Sequence, residues 1–306
     1  MTTDERIAAC QQAMKEKNGV GLSLDDVRRV DRFLASRFGI VPPLRPSSWS
    51  RKLRKLAGPS LSGGYRAVHD AYASYLESGC GVPEEIDVEW YDLIADTRIA
   101  SHIHSQKRTS ILDEACFLLL FIRMLQIKGP VLDVGCHTGH HAITLAHETG
   151  LDFVGIDRSR RAIEQARRYA RSNNVAVTFT DERVDSSELT NSFEMVYATR
   201  SLELSEATAG IIATALKPGG IAVFVPTTPP DFDREEAAAI QQNGLGWVYA
   251  DVVGGYVGEE RGYEAGAFLV FIKGGDDLIP SDCVDLATEA WSTFQPYANM
   301  PDTPEN

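Results

Sequence analysis

Asp133, Gly135, Cys136, His137 and Gly139 form the part of the chain whose types and spacing best suit chemistry. Asp133 is the one polar residue of the apolar stretch 130–134, and short apolar runs of this kind fit a strand covered on both faces. Gly135 and Gly139 then permit a tight turn, and their missing Cβ atoms leave room for a ligand against the main chain. An acid beside such a turn suits a cofactor that needs close backbone approach and carries positive charge. A pyrophosphate loop has Gly-x-Gly-x-x-Gly with the anion at a helix N-terminus. Here Cys136 follows the first glycine and His137 holds the middle-glycine position, which argues against a dinucleotide. A second acid, Asp157, ends the segment 152–156, near the roughly 20-residue offset at which ribose-binding carboxylates occur. A carboxylate there accepts hydrogen bonds from both ribose hydroxyls.

The flanking sequence supplies elements to hold these groups. A helix is expected from about His140 to the stop at Gly150. Ser159 reads as the N-cap of a helix running through Arg171. A third strand, 176–180, leads to Asp185 and Ser186, and a fourth, 193–198, exposes Thr199, Arg200 and Ser201 at its end. A helix to Leu216, a turn at Lys217-Pro218-Gly219-Gly220 and a strand at 221–225 complete the alternation. Alternating strands and helices predict a parallel, doubly wound α/β sheet. Ahead of it, residues 3–38 read as two helices parted by Asn18-Gly19, the second with Ser23 as N-cap and Asp26 in its first turn. A loop rich in proline, serine and basic residues spans 41–64, and helical patterns resume at 65–78, 84–100 and 107–125. The last is apolar on most faces and is expected to lie against the sheet.

Taken together and in order, these motifs resemble the class I S-adenosylmethionine (SAM)-dependent methyltransferases over residues 130 to about 274. Asp133 to Gly139 is similar to that family's first motif, with His137 where glycine is commoner. The resemblance implies that Asp157 holds the ribose of SAM, with Arg158 beside it. It implies that Asp185, or else Asp181, meets the adenine amino group with Val184 and Ser186 beside the ring. Ala198 and Thr199 would face the transferring group, and Leu216 to Gly220 would precede the fifth strand. Segments 247–257 and 267–273 would be the sixth and seventh strands. The fold implied is a mainly parallel seven-stranded sheet with an antiparallel last strand, plus an N-terminal helical lid. The expected division is a lid and substrate module at 1–105, the SAM-binding domain at 106–274, and a tail with a short helix at 275–306.

A net charge of −13 argues against a polyanion as the main partner, so nucleic acid is not the expected ligand. Two basic clusters run against that balance: Arg45, Arg51, Lys52, Arg54 and Lys55 around Trp49, and Arg158, Arg160, Arg161, Arg167, Arg168 and Arg171 on one helix. Both read as solvated faces. Five cysteines without Cys-x-x-Cys spacing imply a reducing cytoplasm and no structural zinc. The longest apolar run, 115–122, is too short to span a bilayer, and the N-terminus lacks a basic-then-apolar secretion pattern.

Six of the seven histidines fall between 102 and 147: His102, His104, His137, His140, His141 and His147. No carboxylate is paired with them at ligand spacing, so no metal is expected. His102 or His104 is a candidate general base, His137 or His140 a candidate partner for the methionine end of SAM, and His147 a surface residue. Methyl transfer is an in-line attack on a sulfonium methyl, so positioning, exclusion of water and proton removal are what a protein supplies. The 198–201 tip lacks the Asn/Asp-Pro-Pro-Tyr/Phe signature of enzymes that methylate exocyclic amino groups of bases or glutamine. Arg200 reads either as a bidentate clamp for a substrate carboxylate or as a surface salt bridge. Tyr65, Tyr72, Tyr75, Trp90 and Tyr91 would suit an apolar enclosure around a sulfonium, or simply form core. The leading expectation is a cytoplasmic SAM-dependent methyltransferase of small-molecule or secondary metabolism, acting on oxygen or nitrogen. The alternative is an azetidine-2-carboxylate synthase, in which the amino group of SAM attacks its own chain and releases methylthioadenosine. A SAM-binding regulator and an RNA methyltransferase complete the readings.

Overall fold

The structure is a computed structural model that describes residues 23–40, 74, 83–95, 108–181, 189–201, 205–225, 240–253 and 266–274. Seven strands form one sheet: β1 (Val131–Val134), β2 (Phe153–Ile156), β3 (Val177–Thr180), β4 (Phe193–Thr199), β5 (Leu216–Val225), β6 (Leu245–Val253) and β7 (Gly266–Lys273). Their order is β3-β2-β1-β4-β5-β7-β6, and β7 runs antiparallel to both β5 and β6. The seven-stranded α/β expectation therefore holds, including the reversed last strand. Strand order reverses between β1 and β4, and ligands of open α/β sheets bind outside the carboxyl ends of strands at such a point.

Four residues of β1 are all buried, which is why this strand reads as a continuous apolar run rather than an alternation. Side chains on β4 divide between faces with the period of two that a strand imposes. Met195 and Tyr197 enter one core with Val131 and Val223, while Val196 and Ala198 enter the other with Leu132 and Phe224. On the first face lie α1 (Leu24–Phe38), α3 (Arg108–Met124), α4 (His140–Thr149) and α5 (Arg160–Asn173). On the second lies α6 (Glu206–Ala215). A further helix, α2 (Glu84–Ile94), packs on α5.

Local rules explain most boundaries. Ser23 and Asp26 form a reciprocal capping box at the start of α1, and Gly39 ends it in the left-handed region. Ser159 caps α5 by accepting from the Ala162 amide at 3.0 Å. Ala162, Ile163, Ala166 and Ala170 form its buried stripe. Arg160, Arg161, Arg168 and Arg171 stand on the exposed side, the solvated face that the sequence implies. Arg167 reaches back to donate twice to the Phe179 carbonyl, at 3.1 and 2.7 Å. α3 buries Leu112, Ala115, Leu118, Leu119 and Ile122, so its apolar character on most faces follows from lying in the core shared with the sheet, α1 and α4.

One expectation changes. The turn at 217–220 is part of β5, and β5 spends the residues between Leu216 and Ile221 opposite the single step Phe193 to Met195 of β4. Extra residues against a shorter partner segment make an irregularity of the β-bulge kind rather than a break between elements. The expected helix 3–17, the loop 41–64, most of the segment 65–78, and the tail 275–306 lie outside the described residues, as do His102, His104, Val184, Asp185 and Ser186.

Candidate functional site

The site forms where β1, β2 and β4 end. The amides of Gly135 and Cys136 both donate to the Ile156 carbonyl, at 2.8 and 3.0 Å, locking the glycine turn to the tip of β2. Asp157 then ties two segments together. One carboxylate oxygen accepts from the His137 amide and the other from the Ser159 amide, each at 2.8 Å. A carboxylate has about four lone-pair sites, so a second partner on each oxygen remains feasible. His137 holds the turn in the left-handed region with φ +47°. That is where glycine is commoner in the resembling motif, so the departure in sequence is a departure in residue type and not in backbone shape.

Gly135 and Gly139, expected to make room for a ligand, are required by the protein's own packing. A Cβ on Gly135 would stand 2.1 Å from the Cβ of Ser201, and one on Gly139 would stand 2.6 Å from the ring of Phe179. Both have φ near +70°, at +70° and +76°. Ser201 lies so close because its hydroxyl donates to the Val134 carbonyl at 2.5 Å, drawing the end of β4 over the turn. The turn is thus clamped from β2 by Asp157 and from β4 by Ser201.

Beneath the turn sits Asp133, 1% exposed and opposite Tyr197 in the pairing of β1 with β4. Among the described residues, neither Asp133 oxygen nor the Tyr197 hydroxyl has a partner at full hydrogen-bond geometry. Burial pushes the Asp133 carboxyl up to about 8; the facing Tyr197 hydroxyl pulls it partly back, and the Asp157 charge raises it further. A carboxyl whose folded value lies above its ordinary 3.8 binds its proton more tightly in the folded chain. Its contribution to stability is therefore fully present below about pH 4 and is lost as pH rises through about 8. Asp133→Asn is expected to match the parent's thermal stability at pH 4 and to exceed it at pH 8 by on the order of a few kcal/mol. Calorimetry of the ligand-free proteins at the two pH values checks this; equal melting at pH 8 would contradict the burial of an uncompensated acid.

The remaining expected contacts divide. Cys136 is buried, and burial followed by the Asp133 charge pushes its thiol well up, so it is a neutral packing group. Ala198 turns its side chain into the opposite core, leaving only its main chain at the site. Arg158 forms an ion pair with Asp87 of α2, and its guanidinium lies 5.9 Å from the centroid of Tyr91. Tyr91 meets the His137 ring edge-on at 6.2 Å. The Ser159 hydroxyl donates to Asp92 at 2.5 Å. These contacts set α2 against the glycine turn and the start of α5, where a lid element is expected. His147 is exposed and stacks on Phe33 at 4.3 Å, as a surface residue would.

Arg200 forms a salt bridge, as one of its two readings expects, but a partly buried one within the fold. Its Nε donates to Glu114 of α3 at 2.7 Å, and the residue bends away from β4 with φ +53°. Glu114 is buried, and its second oxygen lies 3.4 Å from Nε2 of His141, which is also buried. Nδ1 of His141 lies 3.3 Å from the hydroxyl of Thr199, the last residue of β4. Glu114, His141, Tyr197 and Ser201 were not singled out for roles from sequence. His141 was named there only within the histidine cluster and Ser201 only at the strand tip, while Glu114 and Asp113 left a signal as acids inside an otherwise apolar helix pattern.

Comparison with known proteins supplies an independent line. Residues 131–220 match the family model described as a methyltransferase domain. No curated protein matches the chain. Among solved structures, a SAM-dependent methyltransferase from Methanosarcina mazei is similar, at 18% identity and a TM-score of 0.39, over 47% of this chain and 91% of that one. The [4+2]-cyclase SpnF is similar at 18% identity and a TM-score of 0.43, over 53% and 80%. A geranyl diphosphate methyltransferase in complex with GPP and sinefungin is similar at 15% identity and a TM-score of 0.40, over 52% and 76%.

Proposed function

We propose, from the premise that residues 131–220 are the methyltransferase domain of a SAM-dependent enzyme, that the chain methylates a small molecule at oxygen or nitrogen. One observation carries the reading. Asp133 is a fully buried carboxyl with no partner at full hydrogen-bond geometry among the described residues, placed under a glycine turn at the switch point of the sheet. A buried acid left in that state is relieved by a cation, and SAM carries both an ammonium and a sulfonium. Asp157 would hold the ribose, and the turn from Gly135 to Gly139 would lie against the cofactor. When bound, SAM supplies an electrophilic methyl. The chain supplies the walls that exclude water and the groups that orient the acceptor.

A small acceptor rather than a nucleic acid fits the net charge of −13. It also fits α2, which stands over the turn through Tyr91, Asp87 and Asp92. Among the described residues, no helix is long and apolar enough to cross a membrane.

The test is mass spectrometry of products from SAM, first alone and then with a panel of alcohols, phenols, amines and carboxylates. S-adenosylhomocysteine formed only with an acceptor is the expected result. Methylthioadenosine from SAM alone would replace methyl transfer with the intramolecular cyclisation that yields azetidine-2-carboxylate.

A further inference from the structure

The group Glu114, His141, Thr199 and Arg200 joins α3, α4 and the tip of β4. Its hydrogen bonds fix the proton positions. Nε2 of His141 lies 3.3 Å from the Ile111 carbonyl and 3.4 Å from a Glu114 oxygen. A carbonyl can only accept, and the Glu114 carboxylate held by Arg200 also accepts, so Nε2 carries a hydrogen. Burial lowers the His141 value, Glu114 opposes that, and Arg200 adds to it, leaving the ring neutral at pH 7. With the hydrogen on Nε2, Nδ1 is bare and must accept. Among the described residues, the donor it meets is the hydroxyl of Thr199 at 3.3 Å. The Thr199 hydrogen therefore points inward to His141, and the oxygen presents its lone pairs outward. Thr199 is only partly buried, at the strand tip beside the glycine turn.

We propose that Thr199 and His141 form a proton relay, oriented by Glu114, that takes the proton of a hydroxyl acceptor during methyl transfer. This rests on the methyl-transfer reading and narrows its substrate class to acceptors with a proton to give, alcohols and phenols foremost, because a carboxylate or tertiary amine has none. The balance is complete. As the acceptor oxygen bonds to the methyl carbon, the methyl–sulfur pair stays on sulfur, giving S-adenosylhomocysteine. The acceptor proton passes to the Thr199 oxygen while the Thr199 proton passes to Nδ1. The imidazolium formed faces the Glu114 carboxylate, and the proton later leaves to solvent by the reverse path. Glu114 also faces Arg200, so its charge is shared between two cations only in that state. Among the described residues, His140, whose ring centre is 4.4 Å from that of His141, is a further titratable neighbour. Thr199 is the catalytic residue of this scheme; His141 and Glu114 act through it.

The ring state can be read without an acceptor. Nitrogen NMR of the full chain saturated with S-adenosylhomocysteine should show His141 neutral at pH 7, with hydrogen on Nε2 and a bare Nδ1. Thr199→Val should shift the Nδ1 signal and leave S-adenosylhomocysteine affinity within about twofold. Hydrogen on Nδ1, or a charged ring at pH 7, overturns the relay. With an alcohol or phenol from the panel, Thr199→Val should lower kcat about 100-fold at unchanged KM for SAM, in the range of general acid–base effects. Thr199→Ser should restore most of it. Glu114→Gln removes the charge that holds the His141 value up, so the acidic limb of the kcat profile should move to lower pH. An unchanged kcat in Thr199→Val also overturns the relay. A chain that makes no S-adenosylhomocysteine from any acceptor overturns methyl transfer itself, and the NMR result identifies that as a separate failure.

Discussion

Gly135→Ala is expected to destabilise the chain by about 4 kcal/mol, the largest single-residue effect on folding among the described positions of the site. Two separate penalties combine. An L-residue held near φ +70° costs about 1–2 kcal/mol. The new Cβ would also stand 2.1 Å from the Cβ of Ser201, a separation that real atoms do not tolerate, so β4 or the turn must move. Overpacking of this kind costs about 1–3 kcal/mol. Ser201 cannot simply swing aside, because its hydroxyl is committed to the Val134 carbonyl. Differential scanning calorimetry should show a fall in Tm of roughly 10 °C. Adding Ser201→Gly to Gly135→Ala should recover the steric part and leave the dihedral part. A double variant no more stable than the single one would show that the turn does not meet β4 in this way.

Asp157→Ala is expected to weaken SAM binding by about 100-fold or more. The carboxylate makes two charge-assisted bonds to main-chain amides, one in the glycine turn and one at the start of α5. Hydrogen bonds to charged groups contribute about 1.5–3 kcal/mol each, and part of that is lost to water that enters the gap. Removal therefore frees the turn as well as deleting a ribose acceptor, and the two losses act on the same ligand. Asp157→Asn tests which matters more. One of its oxygens becomes an amide NH2 that faces an N–H, so one tether must break while the size is kept. Titration calorimetry with SAM should place the asparagine variant between the parent and the alanine variant. Unimpaired affinity in Asp157→Ala would remove the ribose assignment and with it the placement of the cofactor.

The sheet and the first layer of the site were legible because local rules govern them. A fully buried parallel strand leaves an unbroken apolar run, as at β1, and a capped helix announces its start, as at Ser23 and Ser159. The acids that close β1 and β2 interrupt that apolarity at a point where only an end or a site could bear them. The relay was not legible for an equally physical reason. Glu114, His141 and Thr199 come from three elements and meet only after the sheet has twisted and its helices have docked. No spacing along the chain encodes their distances. The histidines were noticed as a group, yet which one would be buried against an acid depends on the facing helix. Likewise the glycines of the turn were recognised, but their partners Ser201 and Phe179 belong to other strands.

The helix that stands over the glycine turn has a consequence for turnover. Asp92 engages Ser159 and Asp87 engages Arg158, the two residues that follow Asp157. On the proposed placement of the ribose at Asp157, a nucleoside would leave past these contacts, so holding them closed is expected to slow departure of spent cofactor. Raising solvent viscosity with sucrose should then slow the release of bound S-adenosylhomocysteine, which stopped-flow displacement measures.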